Sequence, residues 1–150
     1  MSAIGDAIQE KCLAFGDRVI KLNDFLLKEA ANAKPSFKIV NGKRVYDKPI
    51  PVHLQSVANI CNQLLRAGTS IGANNAEATN AISKADFKSK SFIALKEARE
   101  SLYWIDLLHR NNYIDDKSYQ SIYADAEELV KLLTHRCKKL NGDKDGNPED

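Results

Sequence analysis

The stretch I-C-N-Q-L-L-R-A-G-T-S-I-G-A-N-N-A-E-A-T-N-A-I, residues 60–82, decides the fold. Between Ala67 and Ser83 its one ionisable side chain is Glu77, where a chain with 28% charged residues would place about five. A segment so poor in charge is not expected to face water. Val57, Cys61, Leu64, Gly68 and Ile71 recur at steps of four and three, the period of an amphipathic helix. Ala67, Ser70, Ala73, Asn74 and Ala76 fill the rest of the circumference with small side chains, so other backbones can approach from several sides. Gly68 and Gly72 each cost about 1 kcal/mol relative to alanine in a helix interior. Close helix packing along Gly68, Gly72 and Ala76 is the expected compensation.

The pentad Gly68 to Gly72 also spells G-x-S-x-G, the nucleophile elbow of hydrolases. That motif needs a strand before the serine and a helix after it, whereas Ser70 falls in mid-helix. No Gly-Lys-Ser/Thr follows, so the run is not a phosphate loop. No glutamate has a histidine three residues on, the pattern of di-iron bundles. Cys12, Cys61 and Cys137 lie far apart on apolar helix faces, with no C-x-x-C pair and no histidine pair at i, i+4, so they read as buried, reduced thiols. We therefore expect no catalytic residue, no metal and no cofactor.

Outward from this helix, residues 4–31 form the first one. Ile8, Cys12, Phe15, Val19, Leu22 and Leu26 make a seam of alternating fours and threes, as in packed bundles. Leu13, Ile20 and Leu27 form a second apolar stripe on roughly the opposite side, which calls for a second set of neighbours. From Lys34 to Pro51 the pattern breaks. Pro35, Pro49 and Pro51 bracket F-K-I-V-N-G-K-R-V-Y, and Asn-Gly between β-prone runs signals a two-residue hairpin turn. Five bases, Lys34, Lys38, Lys43, Arg44 and Lys48, stand there against the acid Asp47. With Phe37 and Tyr46 interleaved, this ribbon suits nucleic acid; equally, its lysines can simply guard a strand edge.

The second helix runs from about Val52 to Thr79. Ser83 with Asp86 three residues on is a capping-box variant and opens a third helix that extends to about Asn111. Its core face is Phe87, Ala94, Leu95, Ala98, Leu102, Ile105 and Leu108. On the far side Ile93 and Trp104 flank Glu97 and Glu100, which resembles a contact surface more than a solvated face. Asp115 caps a fourth helix to about Leu140, with Tyr119, Ile122, Ala126, Leu129, Leu133 and Cys137 inward and Glu127, Lys131, His135 and Lys138 outward at spacings that allow charge pairs.

The fold class is thus all-α: an antiparallel up-down-up-down four-helix bundle over residues 1–140, with a short β-hairpin between helices one and two. Residues 141–150, four acids and one base, form a tail expected to be disordered. The body carries 21 bases against 16 acids, which permits an anionic partner without demanding one. No apolar run is long enough to cross a bilayer, and no signal-peptide pattern opens the chain, so a cytoplasmic location is the default expectation. The two-sided helices one to three point to a closed homo-oligomer, with Leu13, Ile20, Leu27, Ile93 and Trp104 in subunit contacts. Arg66 is expected to meet Glu97 or Glu100 of a neighbouring helix or subunit.

Q-L-L-R-A-G-T-S-I-G-A-N-N-A-E-A (63–78), S-K-A-D-F-K-S-K (83–90) and I-A-L-K-E-A-R-E-S-L-Y-W-I (93–105) resemble the signature of bacterial four-helix-bundle proteins encoded in intervening sequences of large-subunit ribosomal RNA genes. That family is related to accessory proteins of diversity-generating retroelements. The similarity spans about Phe15 to Leu140, and the hairpin is longer than the family's usual first connection. The resemblance implies a four-helix protomer, a pentameric ring, no catalysis, and binding of structured nucleic acid or of a partner protein such as a reverse transcriptase. Two functions stay in play. In one, Arg18, Lys21, Lys84, Lys88 and Arg99 join the hairpin's Lys38, Lys43 and Arg44 in contacting RNA or DNA phosphates. In the other, the bundle is a protein-interaction scaffold and its basicity is incidental.

Overall fold

The structure, a computed structural model, describes residues 3–32, 37–46 and 50–142. Four long helices, α1 (Ala3–Asn32), α2 (Ile50–Thr79), α3 (Lys84–Arg110) and α4 (Asp116–Gly142), are interrupted by strands β1 (Phe37–Val40) and β2 (Lys43–Tyr46) between the first two. Each helix packs on its neighbours in chain order, and α4 closes the bundle against α1. The directions follow from paired side chains. Gly68 of α2 faces Phe15 and Val19 of α1 while Gly72 faces Cys12, and Lys11 reaches Glu128 while Arg18 reaches Asp125. Both pairs of helices are therefore antiparallel, as are α2 and α3 through Glu77 and Lys90. This is the up-down-up-down bundle that the periodicity predicts.

Local chemistry sets the helix ends. The Ser83 hydroxyl accepts from the Asp86 amide at 3.1 Å, and the Asp86 carboxylate accepts from the Ile82 amide at 3.2 Å. One donor orphaned at the start of α3 and the amide just before its cap are satisfied in this way. Asp115 caps α4 by accepting from the Ser118 amide at 2.7 Å. Asn112, at φ 58°, ends α3 in the left-handed region, with the Tyr113 amide bonded back to Leu108. The α2 helix starts two residues earlier than expected, at Ile50. That puts Pro51 in the first turn, where its missing N–H costs nothing.

Phe37 pairs with Tyr46 and Val40 with Lys43 in an antiparallel hairpin. Asn41 and Gly42 both adopt positive φ, 51° and 75°, as a two-residue turn matched to strand twist requires. Among the described residues the hairpin makes no backbone contact with any helix. Lys34, Asp47 and Lys48 lie outside the described residues, as does the side chain of Arg44. The α4 helix continues through Gly142, two residues into the segment expected to be disordered and more than one turn past its last buried residue, Cys137. Residues 143–150 lie outside the described residues.

The core runs the length of the bundle and is built from Ile8, Phe15, Val19, Leu26, Val57, Leu64, Ile71, Ile105, Leu108, Leu129 and Leu133, with all three cysteines. Burial pushes the Cys12 and Cys61 thiols up to about 11 and raises Cys137 as well. Small residues let the backbones close in. A Cβ on Gly68 would sit 3.0 Å from Val19 Cγ2, and one on Gly72 would sit 3.3 Å from Cys12 Cβ. On α3 the buried row of Ser91, Ala94, Ala98 and Ser101 does the same.

Candidate subunit and nucleic-acid surfaces

The bundle has two flanks of opposite character. Around α4, several charges are paired within the chain, Lys11 with Glu128 at 2.9 Å, Arg18 with Asp125 and Lys131 with Glu127 at 2.9 Å, while Lys117, Lys138 and Lys139 make no ion pair among the described residues; the His109 ring is hydrogen-bonded to Asp116 at 2.7 Å. Arg18 also donates to the Ser121 carbonyl and hydroxyl, so its charge is committed to tying α1 to α4. Tyr119 stacks on His109 and donates to Asp106 at 2.8 Å, which pushes the phenol up to about 12.

Around α2 the picture reverses. In thirty residues α2 carries Arg66 and Glu77 as its only lysine, arginine, aspartate or glutamate side chains. Asn62, Arg66, Thr69 and Ala73 make up its outward face, and Leu13 and Ile20 of α1 and Ile93 of α3 are exposed apolar residues on the neighbouring helices. Leu13 is 54% exposed and Ile20 44%. Leu27, predicted to share their stripe, is half-buried against the core, as is Trp104. The Trp104 indole donates to Glu100 at 3.1 Å, one turn back on the same helix. Arg66 donates to Gln63 and meets neither Glu97 nor Glu100 within the protomer.

The basic residues predicted to touch nucleic acid divide. Lys21, Lys38, Lys43, Lys84 and Arg99 are exposed, and Lys88 is half-buried. Lys84, Lys88 and Arg99 lie along α3 with no ion pair among the described residues, as does Lys96, which the sequence reading passed over. Phe92 and Tyr103 stand in the same row, 37% and 56% exposed. The spacing 88, 92, 96, 99, 103 carries this row in the sequence, but aromatic residues at helical spacing look like core until the buried face is known.

A polar cluster at one end of the bundle was also missed. Asn75, fully buried, donates to Gln9 at 2.6 Å and accepts from Arg136 at 2.6 Å, joining α1, α2 and α4. The Arg136 guanidinium lies 5.7 Å from the centre of the Phe87 ring, and burial lowers its pKa. The core series 57, 61, 64, 68, 71 does step to 75, so the position was legible although the partners were not. The Ser91 hydroxyl is buried with no hydrogen-bond partner among the described residues. No three potential metal ligands cluster among the described residues, and no described helix is long and apolar enough to cross a membrane.

Four antiparallel helices, with ion pairs tying α1 to α4 on one flank and a second flank low in charge along α2, define a helical-bundle protein. The chain belongs to the family described as 23S rRNA-intervening sequence protein, which matches residues 43–135. It is similar to a crystal structure from Bacteroides thetaiotaomicron of a protein with unknown function from the S23 ribosomal protein family, at 37% identity and a TM-score of 0.70, over 90% of this chain and 98% of that one. Among curated proteins nothing matches the chain. Neither the family's description nor that of the solved relative names an enzymatic activity.

Proposed function

We propose that this protein is a non-catalytic, self-associating bundle that binds nucleic acid as an accessory factor. The observation that carries the reading is the row of bases on α3, Lys84, Lys88, Lys96 and Arg99, without ion pairs among the described residues, whereas Lys11, Arg18 and Lys131 are tied to carboxylates of α4. Bases left without carboxylates keep their full attraction for phosphate. The hairpin adds Lys38 and Lys43 on an exposed ribbon.

Self-association is supported by the α2 flank. Exposed Leu13 and Ile20 lie on α1 next to the nearly uncharged α2, and Arg66 with Glu97 and Glu100 offers complementary charge to a second copy. A ring would repeat the α3 row around its circumference, so that several modest contacts act together. Five copies is the number the family resemblance implies.

Titration of a fluorescent structured RNA over a range of salt concentrations tests the reading. Binding should weaken steeply with salt, and Lys96→Gln or Arg99→Gln should each flatten the log–log slope by roughly 0.7–0.9. Lys131→Gln, at a lysine paired with Glu127, should leave the slope unchanged. A chain that ignores RNA at low salt while still assembling would instead favour a protein-interaction scaffold, for which the exposed apolar residues already offer a surface.

A further inference from the structure

We infer that the outer face of α3 holds unpaired nucleotides, with bases stacked on Phe92 and Tyr103 and phosphates on Lys88, Lys96 and Arg99. This rests on the nucleic-acid reading above and narrows it from nucleic acid in general to single strands or unpaired loops.

The arrangement is a single row. At 3.6 residues per turn, positions 88, 92, 96, 99 and 103 fall within about 80° of arc and extend about 22 Å along the helix. Cations and aromatic rings are interleaved along it. Two bases flank Phe92 one turn away on either side, and Arg99 stands one turn before Tyr103. At the first half of the row a shallow open groove of about 510 Å³ is lined by Lys88, Ser89, Phe92, Ile93 and Lys96. Its floor is apolar while its rim carries two ammonium groups. The pattern suits an aromatic base lying flat with its phosphate turned outward.

A duplex fits this row poorly. Base faces in a duplex are already stacked on one another, so Phe92 and Tyr103 would gain nothing from it, and two exposed aromatic side chains would lie idle beside the phosphate contacts. An unpaired strand offers both groups together, charge to the bases of α3 and an open π-face to its rings. An apolar protein segment would leave Lys88, Lys96 and Arg99 without partners. Glu100, the nearest acid on the helix surface to Lys96 by spacing, is bound to the Trp104 indole instead.

The test compares a fluorescent oligoadenylate with the same strand annealed to oligouridylate, each titrated with the full chain at low salt. Single strand should bind more tightly. Phe92→Ala and Tyr103→Ala should each weaken single-strand binding about tenfold while leaving duplex binding unchanged, since one stacked base is commonly worth that much. Circular dichroism confirms that these surface variants keep their helices. Emission of Trp104, the chain's one tryptophan, supplies a local readout because its ring lies 4.9 Å from that of Tyr103. Oligoadenylate should quench it, and Tyr103→Ala should abolish the quenching at matched concentration. Equal affinity for both forms, with aromatic variants that bind as the parent does and Lys96→Gln still weakened, overturns the stacking while leaving nucleic-acid binding in place. No binding of either form at low salt overturns both.

Discussion

The α2 and α4 flanks are built from helices of similar length with opposite solutions for their outer surfaces. The 27 residues of α4 include nine lysine, arginine, aspartate or glutamate side chains, several spent on ion pairs to α1 or within the helix. The thirty of α2 include two. Solvated ion pairs add little to stability, but those that tie Lys11 and Arg18 of α1 to α4 commit these charges within the protomer. A face of Asn, Thr, Ser and Ala with isolated leucine and isoleucine along its border costs little to desolvate, and its small side chains let another backbone approach. The difference teaches that α4 serves the protomer as its wall, while α2 serves as the packing axis inside the protomer and as the proposed seam between protomers.

The largest expected effect comes from filling the α2 axis. Gly68→Leu should destabilise the protein by about 1–3 kcal/mol even after the gain in helix propensity, because Val19 and Phe15 already stand 3.0 and 3.4 Å from the position of the first added carbon and leave no room for the rest of the side chain. Thermal melting decides it; a melting temperature at or above that of the parent would show that α1 can retreat from the contact at no cost.

Next comes the seam. Leu13→Glu combined with Ile20→Glu should give monomers that retain their helical content, since both side chains are exposed on α1 and lie off its buried seam. Arg66→Ala should weaken assembly in the same direction. Gel filtration with light scattering reads both, and a parent that is monomeric at micromolar concentration would break the comparison at its root.

The thiols of α1 and α2 give the clearest pH signature. Cys12 and Cys61 are raised from 9.0 to about 11 by burial, so the unfolded chain releases these protons first. Their contribution is whole below pH 9 and should be lost as pH rises toward 11. The melting temperature should fall across that window, and Cys61→Ala should flatten the fall. An identical slope in the variant would assign the effect to other groups.

The smallest effect belongs to α4. Lys131→Ala and Glu128→Ala, each removing one partner of an exposed ion pair, should each cost under about 1 kcal/mol in urea unfolding and leave assembly untouched. A change in oligomer size with either variant would mean that α4 also lines a seam.

Much of this was legible in the sequence. The steps of four and three placed Ile8, Cys12, Phe15 and Val19, then Val57, Cys61 and Leu64, on buried faces, and Ser83, Asp115 and Asn41-Gly42 marked ends and a turn through chemistry local to a few residues. The candidate surfaces were less so. Arg18 and Lys96 are both bases on helices, and nothing in their own neighbourhoods says that one is tied to Asp125, more than a hundred positions away, while the other is left free of ion pairs.

What the sequence determined by itself was the count, length and amphipathicity of the helices, because backbone hydrogen bonds and side-chain periodicity act over one or two turns. What only the tertiary structure decided was which outward residues are spent inside the protomer. Leu27 and Trp104 are half-buried where Leu13 and Ile20 are exposed, and Asn75 sits in the core only because Gln9 and Arg136 arrive from α1 and α4 to satisfy both ends of its amide. Those outcomes depend on how the helices rotate and slide against one another, a choice made by the sum of all core contacts and by no single stretch of the chain.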